Sequence, residues 1–144
     1  MRTLHPVAGT LALAITLVFW ISTAASEISG NPDMIRAVKL AIPWGLTVLV
    51  PAIAFTGFSG FRLGAKWKHP AVGAKKRRMP FIALNGLLIL VPCALVLRQL
   101  ALAGEFGMIF HAVQALEFCA GAINISLLGM SFRDGLRLKR RIGA

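Results

Sequence analysis

The sequence has no tyrosine, only two cysteines and only five acidic residues in 144 positions. The carboxylates are Glu27, Asp33, Glu105, Glu117 and Asp134, too scattered to supply the paired acid and base of hydrolytic chemistry. Cys93 and Cys119 are too few for a disulfide scaffold, and no Cys-x-x-Cys, His-Glu-x-x-His or Gly-rich phosphate loop occurs. Both cysteines fall in apolar runs at similar depths, where a thiol acts as a small apolar filler. Charged residues make up 15% and apolar residues 57%. An ordinary soluble domain has ~25% charged and ~45–50% apolar residues, so a soluble globule and a disordered chain are both excluded.

Long uncharged runs are what the chain has instead. There are 24 residues between Arg2 and Glu27, 22 between Lys39 and Arg62, and 19 between Arg78 and Arg98. A further 27 lie between Glu105 and Arg133, interrupted only by Glu117. A helix needs ~20 apolar residues to cross a ~30 Å hydrocarbon layer. The runs therefore predict an all-α integral membrane protein: a four-helix antiparallel bundle spanning roughly 4–25, 37–61, 79–101 and 106–130. Their continuity excludes barrel strands, which alternate. Arg2, an apolar run and Ser22-Thr23-Ala24-Ala25-Ser26 also have the form of a secretory signal. The run is long enough to span, which favours a retained helix. The whole of 1–144 reads as a single transmembrane domain with a basic loop at 62–78 and a basic tail at 133–144.

The net charge of +11 is explained by where the basic residues sit. Thirteen of the 16 lie on one side: Arg2; Arg62, Lys66, Lys68, Lys75, Lys76, Arg77 and Arg78; Arg133, Arg137, Lys139, Arg140 and Arg141. Arg36, Lys39 and Arg98 lie on the other, with Glu27, Asp33 and Glu105 beside them. This bias predicts that both termini are cytoplasmic. A nucleic-acid binder would interleave aromatics with its basic face, whereas the 62–78 loop has only Trp67, so nucleic acid is not an expected partner. The basic residues of the loop and the tail are expected instead to meet anionic lipid headgroups or a partner subunit.

Polar residues within the runs are the candidate site. Gln114, Glu117, Gly121 and Asn124 are spaced 3, 4, 3 and fall on one stripe of the fourth helix, which must face protein. Asn85 lies at the depth of Asn124, predicting a hydrogen bond between the third and fourth helices. Glu117 reads either as a proton or cation site or as a hydrogen-bonded fastener. Lys39 is expected to snorkel at the outer boundary, where it can pair with Glu27. Small residues, among them Ala112, Ala115, Ala120, Gly121 and Ala122, mark a surface for close helix packing. Pro43, Pro51 and Pro92 are expected to bend their helices, and Pro80 to occupy a first turn.

The histidines bear on redox chemistry. His5-Pro6-Val7-Ala8-Gly9 is echoed by His69-Pro70-Ala71-Val72-Gly73, as an old duplication of a helical hairpin would give. The His-Pro-x-x-Gly pattern is similar to small transmembrane haem-b cytochromes, and His5 with His69 is the one pair that could ligate haem b. The other reading is that they are interfacial histidines at helix starts.

Five runs carry a broader resemblance: Phe19-Trp20-Ile21-Ser22-Thr23, Arg77-Arg78-Met79-Pro80, Asn85-Gly86-Leu87-Leu88, Val113-Gln114-Ala115-Leu116-Glu117 and Arg133-Asp134-Gly135-Leu136. They resemble a family of bacterial four-span inner-membrane proteins of uncharacterised activity. The resemblance implies a helical bundle in a bacterial inner membrane and singles out His5, Asn85, Glu117 and Asn124. The expected role is non-catalytic, as a small subunit or accessory protein of a larger inner-membrane complex, respiratory or photosynthetic. The alternatives are an electron-transfer anchor using haem b or quinone, and a small proton-coupled transporter using Glu117.

Overall fold

The computed structural model describes residues 3–142, so Arg2 and the last two residues of the basic tail lie outside the described residues. The chain forms α1 (Leu4–Ser29), α2 (Pro32–Gly64), α3 (Pro70–Asn85), a π-helical turn (Gly86–Leu90), α4 (Val91–Ala103) and α5 (Met108–Ile142). No strand occurs among the described residues. The segment from α3 to α4 is one rod, giving four helices long and apolar enough to cross a membrane. The protein is a multi-pass membrane protein.

Proline and glycine set the boundaries. Asn31-Pro32 and His69-Pro70 each open a helix by the same device. The first residue caps, with Asn31 Oδ1 accepting from Asp33 N at 2.9 Å and His69 Nδ1 accepting from Ala71 N at 3.2 Å. The proline fills the first turn, where its missing N–H is no loss. Gly30 and Gly104 end α1 and α4 in the left-handed region, φ 62° and 71°. The elements are therefore longer than the uncharged runs. α2 starts at residue 32 rather than 37, and α3 at residue 70 rather than 79.

Three expectations change in consequence. The basic loop contracts from 62–78 to the 65–69 connection, and Lys75, Lys76, Arg77 and Arg78 are helical. The basic tail continues α5 as helix to Ile142. Pro80 stands inside α3, and Pro70 takes the first-turn role. Pro43 and Pro51 are absorbed within a continuous α2. Pro92 is preceded by the π-turn, which widens the backbone where the proline ring would meet the carbonyl of residue 88.

The helices pack as a ring. α1 contacts α2 and α5, and the α3–α4 rod contacts the same two. The backbones of α1 and the rod do not approach one another, nor do those of α2 and α5. The start of α1, the 65–69 connection and the C-terminal end of α5 share one end of the bundle, here called the basic end.

Packing follows small-for-large pairing. A Cβ at Gly45 of α2 would fall 2.2 Å from Phe19 Cζ of α1, so only glycine admits that ring. At Gly121 of α5 a Cβ would sit 3.0 Å from Trp20 Cδ1. Trp20 lies on that gap, stacks on Phe118 at 4.3 Å between ring centroids, and donates Nε1–H to Phe118 O at 3.0 Å. Away from the basic end, Ile35, Leu97, Ala101 and Phe110 form a buried cluster. Of the small residues expected to pack, Ala120 and Gly121 are buried, whereas Ala112 and Ala115 are exposed. Cys93 is buried and Cys119 faces outward, so the two cysteines play different roles.

Candidate functional site

The polar stripe of α5 points into the bundle: Gln114, Gly121 and Asn124 are buried and Glu117 nearly so. Glu117 lies nine residues after Met108, about 14 Å along the helix at 1.5 Å per residue, well inside the apolar span. Its partner is Lys39. The Lys39 Nζ donates to Glu117 Oε2 at 2.8 Å, and the two side chains are 1% and 12% exposed. Lys39 also donates to Thr23 Oγ1 at 3.4 Å, and Gln114 Nε2 to Glu117 Oε2 at 3.2 Å.

This corrects the expected placement of Lys39. It neither snorkels at the boundary nor bonds Glu27, whose Oε1 is buried with no hydrogen-bond partner. The reason is the early start of α2. With Pro32 as its first residue, Lys39 stands two turns inside and faces the bundle axis. The ion pair crosses the α2–α5 diagonal, whose backbones do not meet, and brings side chains of α1, α2 and α5 to one point.

The predicted bond between the third and fourth spans is present. Asn85 Nδ2 donates to Asn124 Oδ1 at 2.9 Å and to Ala120 O at 2.9 Å, while Asn124 Nδ2 lies 3.5 Å from Ile82 O. A carboxamide in an apolar span needs such partners, and here Asn124 accepts from Asn85 while backbone carbonyls accept from both side-chain amides. Asn85 is the last residue of α3 before the π-turn, so the pair also anchors the rod where its backbone widens.

A second polar group braces the basic end across the other diagonal. His5 Nδ1 is 2.8 Å from Ser59 Oγ, and His5 Nε2 is 2.8 Å from Lys75 Nζ. Ser59 Oγ donates to Phe55 O at 2.6 Å. The ammonium can only donate, so Nε2 accepts and Nδ1–H donates to the serine hydroxyl. Arg78 Nη1 pairs with Asp134 Oδ2 at 2.7 Å, joining α3 to α5. Lys75 and Arg78, grouped by sequence with the headgroup-binding cations, thus turn inward. Arg62, Lys66, Lys68, Arg77, Arg137, Lys139, Arg140 and Arg141 are exposed at the basic end, with Arg62 lying over the Phe58 ring at 5.4 Å. Lys76 is half-buried beside Gly64.

His5 and His69 are engaged by the protein itself. Both ring nitrogens of His5 hold protein partners, and His69 Nδ1 caps α3. A haem iron at His5 would have to displace Ser59 or Lys75. The sequence echo is not a structural equivalence either, since His5 lies within α1 and His69 precedes α3. No cluster of His, Cys, Asp or Glu able to hold a metal occurs among the described residues.

Glu117 of the ion pair and Asn124 of the Asn pair border a cavity of about 370 Å³ lined by every span. Its wall is almost wholly apolar, and Glu117 is its one charged residue. Five lining residues are exposed on the outer surface: Ala54, Phe58, Phe61, Pro80 and Leu87. All belong to α2, α3 or the π-turn. The cavity therefore opens sideways between α2 and α3, towards the space a lipid would fill. Sequence reading named the polar stripe but not this cavity, because a void depends on how four helices fit together.

Neither a protein-family profile, nor a curated protein, nor a solved structure matches this chain.

Proposed function

We propose that the chain is a non-catalytic membrane protein that holds a lipid-soluble molecule inside its helical bundle. The observation that carries this reading is the apolar cavity of about 370 Å³, open between α2 and α3 and bordered on its inner wall by Glu117, which Lys39 pairs from behind. Small-molecule sites run from roughly 300 to 1,000 Å³, are mainly apolar and carry a few placed polar groups. Ionisable groups within an apolar span mark function by default. The scattered carboxylates supply no acid–base pair for chemistry on such a molecule.

Gly57 provides the test. It lines the cavity, and nothing lies within 4 Å of a Cβ built there. Gly57→Leu therefore fills the cavity without striking the backbone. Native mass spectrometry of the full chain released from its membrane is expected to show a bound small molecule, lost in Gly57→Leu at unchanged thermal stability. An unliganded wild-type chain, or equal occupancy in both, overturns the reading.

The charge distribution supports an orientation with both termini on the cytoplasmic side, in the bacterial inner membrane that the sequence resemblance implies. Reporter fusions to the C-terminus should be active only in the cytoplasm. A second reading, a small subunit packed against a larger membrane complex, is favoured by Trp44. It is 72% exposed near the middle of α2, away from the interfacial depth where membrane tryptophans concentrate. A photoreactive residue at 44 is expected to crosslink to protein in native membranes, and crosslinks to lipid alone would remove that reading.

A further inference from the structure

We infer that the molecule held in this cavity is a neutral, lipid-soluble phenol of the hydroquinone type. The inference rests on the binding role proposed above and names the ligand class. Three features of the wall lead to it.

The first is the free acceptor. Around the cavity, Trp20 Nε1 is engaged by Phe118 O, Thr16 Oγ1 donates to Ala12 O at 2.7 Å, Thr23 Oγ1 accepts from Lys39 Nζ at 3.4 Å, and Asn124 Oδ1 is held by Asn85. Glu117 Oε2 accepts from both Lys39 and Gln114, while Oε1 accepts from nothing. The oxygen left without a partner on the cavity's one charged residue is an acceptor, so the ligand must bring the donor.

The second is charge. Glu117 is the one charged residue that lines the cavity, and Lys39, bound to it at 2.8 Å, brings the sum of the pair to zero. A charged ligand would stand uncompensated within an apolar span, which selects a neutral hydroxyl.

The third is shape and surface. Phe19, Trp20, Phe58, Phe61 and Phe118 give the wall five aromatic rings, and aromatic faces pair with a ring through offset or edge contacts. The opening between α2 and α3 gives an attached apolar chain an exit into lipid. The phenolic O–H reaches Glu117 Oε1, the ring lies among the aromatics, and the chain leaves by the gap.

The experiment uses the full chain in lipid nanodiscs with Trp44→Phe and Trp67→Phe, leaving Trp20 as the single tryptophan of the three. Trp20 emission is titrated with a prenylated hydroquinone, with its dimethyl ether, and with a diacylglycerol that carries a hydroxyl but no ring. The hydroquinone is expected to bind roughly ten- to hundredfold more tightly than the ether, the range for a hydrogen bond to a charged group. It is also expected to bind more tightly than the diacylglycerol. Equal affinity for hydroquinone and ether overturns the donor requirement, and equal affinity for hydroquinone and diacylglycerol overturns the ring. If none of the three binds, it is the binding role itself that fails. In Lys39→Leu/Glu117→Leu, which removes both charges together, hydroquinone affinity is expected to fall to that of the ether; persistent discrimination overturns the assignment to Glu117.

Discussion

Replacing Glu117 by leucine leaves the Lys39 ammonium, 1% exposed, without the carboxylate 2.8 Å away. Thr23 Oγ1 at 3.4 Å is the other hydrogen-bond partner of Nζ, and a neutral hydroxyl does not replace a counter-charge. Removing one member of a buried ion pair costs about 3–5 kcal/mol, because the survivor stays buried and uncompensated. Each 1.4 kcal/mol is tenfold, so the folded-to-unfolded ratio should fall by roughly two to three and a half decades. Lys39→Leu should cost a similar amount by orphaning Glu117, lessened by the Gln114 Nε2 bond at 3.2 Å. Lys39→Leu/Glu117→Leu removes both charges and fills the space with apolar atoms. Replacing a buried pair by apolar residues is often neutral or stabilising. The double variant is therefore expected to be more stable than either single one. The assay is a double-mutant cycle by steric trapping in bicelles, which measures unfolding within a bilayer. Two single losses below 1 kcal/mol, or a double variant that loses their sum, would refute the argument that the pair is a coupled, desolvated unit.

Other outcomes follow from individual contacts. Gly45→Ala places a methyl 2.2 Å from Phe19 Cζ and should destabilise by about 1–3 kcal/mol, the range for overpacking; Phe19→Leu in the same chain should restore most of the loss in an SDS-unfolding titration. Asn85→Leu and Asn124→Leu should each cost about 0.6–2 kcal/mol, and the double variant less than their sum, since one bond is shared; strict additivity in the same assay would show that the pair is not formed. Exchanging the charges in Arg78→Asp/Asp134→Arg should recover stability lost in Arg78→Asp alone, read from thermal unfolding in detergent at low salt, because the 2.7 Å pair is only partly exposed.

Much of the site was legible in the sequence because it depends on periodicity within one helix. The 3, 4, 3 spacing of Gln114, Glu117, Gly121 and Asn124 puts them on one stripe in any straight helix. Matching the depth of Asn85 to that of Asn124 needed only a tight hairpin, which Gly104 supplies. A second span beginning at 37 puts Lys39 in its first turn, at the boundary, whereas α2 begins at Pro32. The proline at 32 was the available signal: as a first-turn residue it puts Lys39 two turns inside, opposite Glu117. Pro70 carried the same message for α3, and with it the inward turn of Lys75 and Arg78.

The sequence by itself determined four apolar helices, their antiparallel order and the gathering of positive charge at one end. These follow from run length and charge position, which hold whatever the helices touch. Only the tertiary structure decided that Lys39 meets Glu117 across a diagonal, that His5 meets Lys75 across the other, and that the α2–α3 seam stays open on a cavity. Each of these depends on how far each helix is rotated about its own axis and where each starts. Rotation is fixed by contacts between helices, such as Phe19 on Gly45 and Trp20 on Gly121, which join residues far apart in the chain.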